Sequence, residues 1–197
     1  MTLFESATRV PLLIRAPHLS ATSAGKITDS PAQLLDMYPT LATLAGLPKP
    51  SSVDGVDLSP LFVNPLNATV SAGAFTQQAR CYQKGAATPN PTALQASLTR
   101  MMTCEFVPRD KMDFMGYTIR TREWRYTAWL GWDGSKLAPL WNTSVGAELY
   151  DHRSRTMPPH GHSGWRENEN LVGVAAHAAV VSELHSQLKA HFSQHWE

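Results

Sequence analysis

Apolar and polar positions recur along this chain with two different periods, and the change of period marks its elements. From Met115 to Thr121, and again from Arg125 to Leu130, aromatic and β-branched residues alternate with others, with Arg122-Glu123-Trp124 between the two runs. This pattern predicts a β-hairpin, with Tyr117 and Ile119 on one face of the first strand and Tyr126, Ala128 and Leu130 on one face of the second. Ala74 to Thr76 and Ala147 to Asp151 read as further short strands. From about Val174 to Phe192 the spacing is helical, with Val181, Leu184, Leu188 and Phe192 on one stripe. A second helix is expected within Lys26 to Gly46. Ser30 can cap it, Pro31 suits its first position, and Gln33 completes a capping box. Leu34, Met37, Leu41, Leu44 and Ala45 would form its buried stripe. Pro39 interrupts that span, because inside a helix it loses one hydrogen bond and clashes with the carbonyl of Leu35. Either the helix kinks there or Asp36 caps a second start. Gly46 ends it, and Pro48 and Pro50 forbid resumption.

Val10, Leu12, Leu13 and Ile14 form a nearly continuous apolar run, the pattern of a strand covered on both faces. Such a strand needs neighbours, and few later segments read the same way, so the chain is expected to be the C-terminal part of something longer. Residues 48–73 read as loop anchored by Val53, Val56, Leu58, Leu61 and Phe62. Residues 83–113 read as a long loop and residues 152–170 as a polar one. A helix on an antiparallel hairpin sheet is an α+β layout.

Composition narrows the function classes. Seventeen Lys+Arg against 16 Asp+Glu leave a net charge of +1, which argues against a nucleic-acid binder. Hydrophobic residues make up 43% of the 197, enough for a core and too many for a wholly disordered chain. No apolar run approaches the ~18 residues of a membrane span, and the longest early one, Val10 to Ile14, is too short for a signal peptide. Cys81 and Cys104 fit either two buried thiols or one disulfide, whose loop would contribute roughly 3 kcal/mol. Asn67-Ala68-Thr69 and Asn142-Thr143-Ser144 are glycosylation sequons.

Candidate chemistry is sparse. Arg120, Arg122 and Arg125 could grip an anion or line a solvated hairpin edge. Asp54 and Asp57 flank Gly55 in what reads as a turn, since calcium needs six or more oxygens. His160, His162, His191 and His195 lack neighbours that would complete a metal set. Ser59 and Ser163 lack a nucleophile-elbow context, and phosphate-binding glycine loops are absent.

The order of segments goes further. Thr2 to Leu12 resembles the stretch of sulfatases that follows their substrate-binding lysine. Leu35-Asp36-Met37-Tyr38-Pro39-Thr40 to Leu47 is similar to the family's aspartate-x-x-proline-threonine helix, and Asp54-Gly55-Val56-Asp57-Leu58-Ser59-Pro60-Leu61 to its successor. Met115 to Trp129 resembles the hairpin of iduronate-2-sulfatase-like members. Gly146 to Asp151, Glu167-Asn168-Glu169-Asn170-Leu171 and a final helix close the chain as sulfatases close.

The resemblance implies the C-terminal part of an alkaline-phosphatase-like fold, α/β plus α+β, ending in an antiparallel sheet packed by a C-terminal helix. Residues 1–70 would end the large α/β domain, and 71–197 would be the subdomain. It implies hydrolysis of a sulfate ester by a formylglycine hydrate with calcium, on a sulfated saccharide, in the secretory pathway, lysosome or outside the cell. The formylglycine arises in a C/S-x-P-x-R motif. Neither Cys81 (before Tyr82-Gln83-Lys84) nor Cys104 (before Glu105-Phe106-Val107) opens one. No catalytic or metal-binding residue therefore carries over. Calcium would belong to the full-length enzyme, this chain would bind none, and in isolation it is expected to be inactive. Tyr82, Arg120, Arg122, Trp124 and Arg125 would line the rim of the substrate cleft. The rival expectation is a non-catalytic carbohydrate-binding or assembly module built on the same fold.

Overall fold

The alternating residues pair as their spacing requires. The computed structural model describes residues 2–49, 51–81, 104, 107–153 and 167–193. In chain order the elements are α1 (Glu5–Thr8), α2 (Ser20–Ser23), α3 (Met37–Leu44), α4 (Pro60–Val63), β1 (Ala74–Arg80), β2 (Phe114–Arg120), β3 (Trp124–Asp133), β4 (Ala138–Asp151) and α5 (Ala178–Ser193). The strands form one sheet in the order β1-β2-β3-β4, with β3 and β4 antiparallel. Both strands expected as short are longer: Ala74–Thr76 extends to Arg80, and Ala147–Asp151 is the end of a strand that starts at Ala138.

The chain divides into two compact units. The first comprises Met1–Arg9, Phe75–Ile119 and Trp124–Glu197, and holds the sheet and α5. The faces expected from the pattern are the faces observed. Tyr117, Ile119, Tyr126, Ala128 and Leu130 lie in one core cluster with Leu184, Leu188 and Phe192 of α5. Complete burial of a leucine such as Leu188 contributes about 1.5–3 kcal/mol. Phe192 packs tilted on Tyr117 at 4.4 Å, and His191 stacks on Phe75 at 3.7 Å.

The opposite face of β2 and β3 is buried as well, and it is more polar. The Thr118 hydroxyl donates to the Tyr126 carbonyl at 2.8 Å and lies 2.8 Å from the Thr127 hydroxyl. Leu3 and the Trp129 ring close over Gly116, where any Cβ would collide with both. Cys81 and Cys104 are joined by a disulfide, their Cα atoms 5.5 Å apart. The long loop expected at 83–113 lies largely outside the described residues, as does most of the loop at 152–170.

The second unit comprises Val10–Ala74 and Arg120–Glu123. Here the structure corrects three expectations. Val10–Ile14 is not a strand: it pairs with nothing in a ladder, and Leu13 is 94% exposed. A strand exists only through a partner's hydrogen bonds, and this unit contains no other strand among the described residues. The helix after Ser30 also starts later than expected. Gln33 and Asp36 form the capping box, around a short 3₁₀ turn at Leu34–Asp36, and α3 follows. Pro39 then falls in the first turn of α3, where its missing N–H costs nothing. The expected stripe is not buried: Leu34 is 70% exposed and Leu41 50%, Ala45 is exposed, and Met37 and Leu44 are only half-buried; beside it Tyr38 is 61% exposed. The buried side chains are instead Asp36, Pro39, Thr40 and Ala42.

Those polar residues pin the following loop. The Asp36 carboxylate accepts the Gln33 N–H at 2.7 Å and, with its other oxygen, the Val56 N–H at 2.9 Å. Thr40 donates its hydroxyl to the Asp36 carbonyl at 2.6 Å and accepts the Leu58 N–H at 2.8 Å. Gly55 passes so close to the Leu35 carbonyl that a Cβ has no room. Asp57 accepts from the Ser59 N–H and hydroxyl, so its carboxylate is used within the chain. Gly46, at φ +69°, ends α3 in the left-handed conformation, with the Leu47 N–H returning to the Ala42 carbonyl at 2.9 Å.

Candidate functional site

Among the described residues, the densest constellation of ionisable groups lies in the sheet-bearing unit, on the polar face of β3. Alternation puts Arg125, Thr127 and Trp129 on that face, opposite the α5 side. Arg125 is only 1% exposed. Its guanidinium donates Nε–H to Glu167 Oε1 at 2.5 Å and Nη2–H to Glu5 Oε2 at 2.6 Å. It also donates to the Leu3 carbonyl at 2.9 Å and the Thr8 hydroxyl at 3.1 Å. The planar fork of an arginine is what allows one side chain to meet four acceptors in fixed directions.

Each carboxylate is held from a second side. Glu167 Oε2 accepts the Glu5 N–H at 2.6 Å, and its Oε1 lies 3.1 Å from His152 Nε2. An ionised carboxylate only accepts, so His152 carries its proton on Nε2. Arg9 approaches Glu5 at 3.5 Å from the turn below. Burial alone would raise the Glu167 carboxyl. The His152 hydrogen bond, the Arg125 charge and the Glu5 N–H together outweigh burial and hold it below the ordinary glutamate range.

The same region is framed by aromatic and polar partners. Trp129 Nε1 donates to Glu148 at 3.0 Å, and Glu148 accepts the Tyr150 hydroxyl at 3.2 Å. Phe4 meets the Tyr150 ring edge-on at 5.8 Å. Asn170 accepts the Leu149 N–H at 2.9 Å and donates to the Ala147 carbonyl at 3.1 Å. Glu167 and Asn170, from the segment Glu167-Asn168-Glu169-Asn170-Leu171, thus fasten that segment to β3 and β4.

Glu5, His152 and Glu167 offer three metal-ligand atoms within 4.8 Å of one another. The set does not fit calcium. It supplies few oxygens where calcium takes six to eight, and the Arg125 guanidinium already stands between its carboxylates as their counter-charge. A cation entering here would meet that arginine. The arrangement suits a charge-balanced clamp, in which one buried cation joins the residues around Glu5 to the sheet.

The residues singled out from sequence are distributed as follows. Arg125 turns its charge inward, away from solvent. Trp124 is buried, with the Arg153 guanidinium 4.5 Å over its ring and His177 at 5.2 Å. Arg122 is half exposed and 3.8 Å from Asp29, and Arg120 donates to the Thr121 carbonyl. Tyr82, His160, His162 and His195 lie outside the described residues. Asn67 and Asn142 are both exposed. Sequence reasoning missed Glu5, His152 and Glu167. Their partnership with Arg125 spans sequence separations of up to 120 residues, which no local spacing can signal.

No family model matches the chain. Its curated relatives are sulfatases. It is 27% identical to mouse iduronate 2-sulfatase over 80% of this chain and 33% of the relative. It is 24% identical to rat arylsulfatase K over 98% of this chain and 29% of the relative. A 60-residue stretch is 43% identical to mouse steryl-sulfatase. The chain therefore spans about a third of the length of the relatives that match most of it. Among solved structures, a 2-O GAG sulfatase aligns with 81% of this chain and 24% of its own at a TM-score of 0.48 and 17% identity. A phosphonate monoester hydrolase from Silicibacter pomeroyi aligns with 84% and 26% at 0.46 and 18%.

Proposed function

The chain is homologous to sulfatases, and from that premise we propose that it is the C-terminal portion of a sulfuric ester hydrolase acting on a sulfated saccharide. The observation that carries the reading is the match to mouse iduronate 2-sulfatase across 80% of the chain. The same match supports the finer reading of an iduronate-2-sulfatase-like saccharide as substrate. The alkaline-phosphatase-like architecture belongs to this reading. Residues 1–70 would end the large α/β domain, and residues 71–197, with the sheet and α5, would be the C-terminal subdomain.

The division of labour follows from what the chain carries. It holds no C/S-x-P-x-R motif. The nucleophile and the calcium of the complete enzyme would come from the missing N-terminal portion, and the calcium would polarise the sulfate there. What this chain's residues do is position. Arg125, Glu5 and Glu167 hold residues 3–8, the stretch that in sulfatases follows the substrate-binding lysine. Arg120 and Arg122 would face the sulfated sugar at the cleft rim. The exposed stripe Leu34, Tyr38 and Leu41 supports a partner that covers α3, and the N-terminal portion is the occupant we assign. The disulfide supports an oxidising compartment, hence a secretory location. No helix among the described residues is long and apolar enough to cross a membrane.

Three measurements test the reading. The isolated chain should give no turnover of an aryl sulfate, and turnover above background would overturn the division proposed. Coding sequence upstream of Met1 should contain the C/S-x-P-x-R motif, and its absence would leave a non-catalytic module. In the complete enzyme, Arg122→Ala should raise KM with little change in kcat, whereas unchanged kinetics would remove Arg122 from the cleft.

A further inference from the structure

The register of β3 against β4 breaks at one place. Leu130 pairs with Ser144, yet its neighbour Gly131 pairs with Leu140. Trp141, Asn142 and Thr143 thus have no opposite residue and bulge out of the ladder. A second irregularity at Val145 separates Ser144 from Gly146, which pairs with Trp129. Thr143 folds back over Gly131, where an added Cβ would lie 3.3 Å from its methyl group. Asn142, Thr143 and Ser144 are all exposed. The bulge therefore leaves Asn142, the first residue of an Asn-x-Ser sequon, exposed and without a partner in β3.

Its place in the sheet adds a second point. β4 ends the strand order. Near Leu149 its outer side is occupied, because the Leu171 N–H donates to the Leu149 carbonyl at 2.8 Å and Asn170 accepts the Leu149 N–H. From Ala138 to Val145 no further strand lies outside it among the described residues. An open edge of this length invites pairing with another chain, and bulges are one device that blunts it. The Cys81–Cys104 disulfide independently points to an oxidising compartment, where sequons meet the glycosylation machinery.

We propose that Asn142 carries an N-linked glycan, and that this glycan screens the open edge of β4 against strand addition. In the transfer, the Asn142 amide nitrogen displaces the pyrophosphate of a lipid-linked oligosaccharide. The glycosyl C1–N bond forms, the C1–O bond breaks, and the amide proton leaves with the lipid pyrophosphate. The proposal rests on the secretory location given above and not on sulfatase activity.

The test is to send the 197-residue chain through the secretory pathway of cultured human cells with an appended signal sequence. Peptide mapping after N-glycosidase treatment should show Asn142 converted to aspartate. Asn142→Gln and Ser144→Ala should each remove one glycan and raise the aggregated fraction several-fold by size-exclusion chromatography. Thr143→Ser keeps the sequon and should behave as the parent. An unmodified Asn142 would overturn the proposal. So would Asn142→Gln and Ser144→Ala proteins as monodisperse as the glycosylated parent. Neither outcome bears on sulfate-ester hydrolysis, and failed hydrolysis by the complete enzyme would leave the glycan assignment standing.

Discussion

Removing the guanidinium of Arg125 would leave Glu5 and Glu167 facing each other in a dry interior, both stripped of their shared counter-charge. Breaking a buried pair from one side costs far more than the pair's net contribution, because the abandoned charge cannot reach water. Arg125→Ala should therefore lower unfolding free energy by about 3–5 kcal/mol, read by urea denaturation. Glu167 adds a pH dependence with a definite sign. Its folded-state acidity lies below the ordinary glutamate value of about 4.3, so its ionised form favours the folded state. That contribution is complete above the ordinary value and disappears as pH falls through the depressed one. The melting temperature of the native chain should drop steeply below about pH 4, and Glu167→Gln should flatten that limb while lowering stability at neutral pH.

For α3 and its following loop, the buried polar contacts decide more than the apolar spacing does. Thr40→Val keeps the shape but orphans the Leu58 N–H, and should cost about 1–3 kcal/mol in thermal or chemical unfolding. Changing Leu34, Tyr38 and Leu41 to Gln, Thr and Gln should leave the isolated chain's stability within about 0.5 kcal/mol, since these side chains already meet water. The same triple change should abolish assembly with the N-terminal portion proposed above, measured by co-purification. The hairpin and α5 were legible because each periodicity finds its buried surface within one unit: Tyr117 and Tyr126 meet Leu188 and Phe192 there. Val10–Ile14 and the α3 stripe carry equally clear patterns. An apolar pattern states that a surface is to be covered and does not say by what, so both misled where no cover stands among the described residues. The Arg125 network was illegible for the opposite reason. Its chemistry is plain, but its partners come from two distant stretches, residues 3–8 and Glu167.

On the scale of the whole molecule, the proposed division of labour makes this chain a part that positions. Cross-linking Cys81 to Cys104 closes a loop of 23 residues, and the Cys81→Ser, Cys104→Ser double change should lower unfolding free energy by about 3 kcal/mol under oxidising conditions and by nothing under reducing ones. The composition of the sheet-bearing unit carries one more consequence. Because Met1–Arg9 belongs to it while residues 10–74 do not, no continuous clone contains that unit alone. A trimmed version begun near residue 71 would lose Leu3, Glu5 and Thr8, leaving Arg125 with a single carboxylate. Such a truncation should precipitate unless a synthetic nonapeptide of the first nine residues is supplied in trans, whose capture by the truncated protein would be visible as a rise in its melting point.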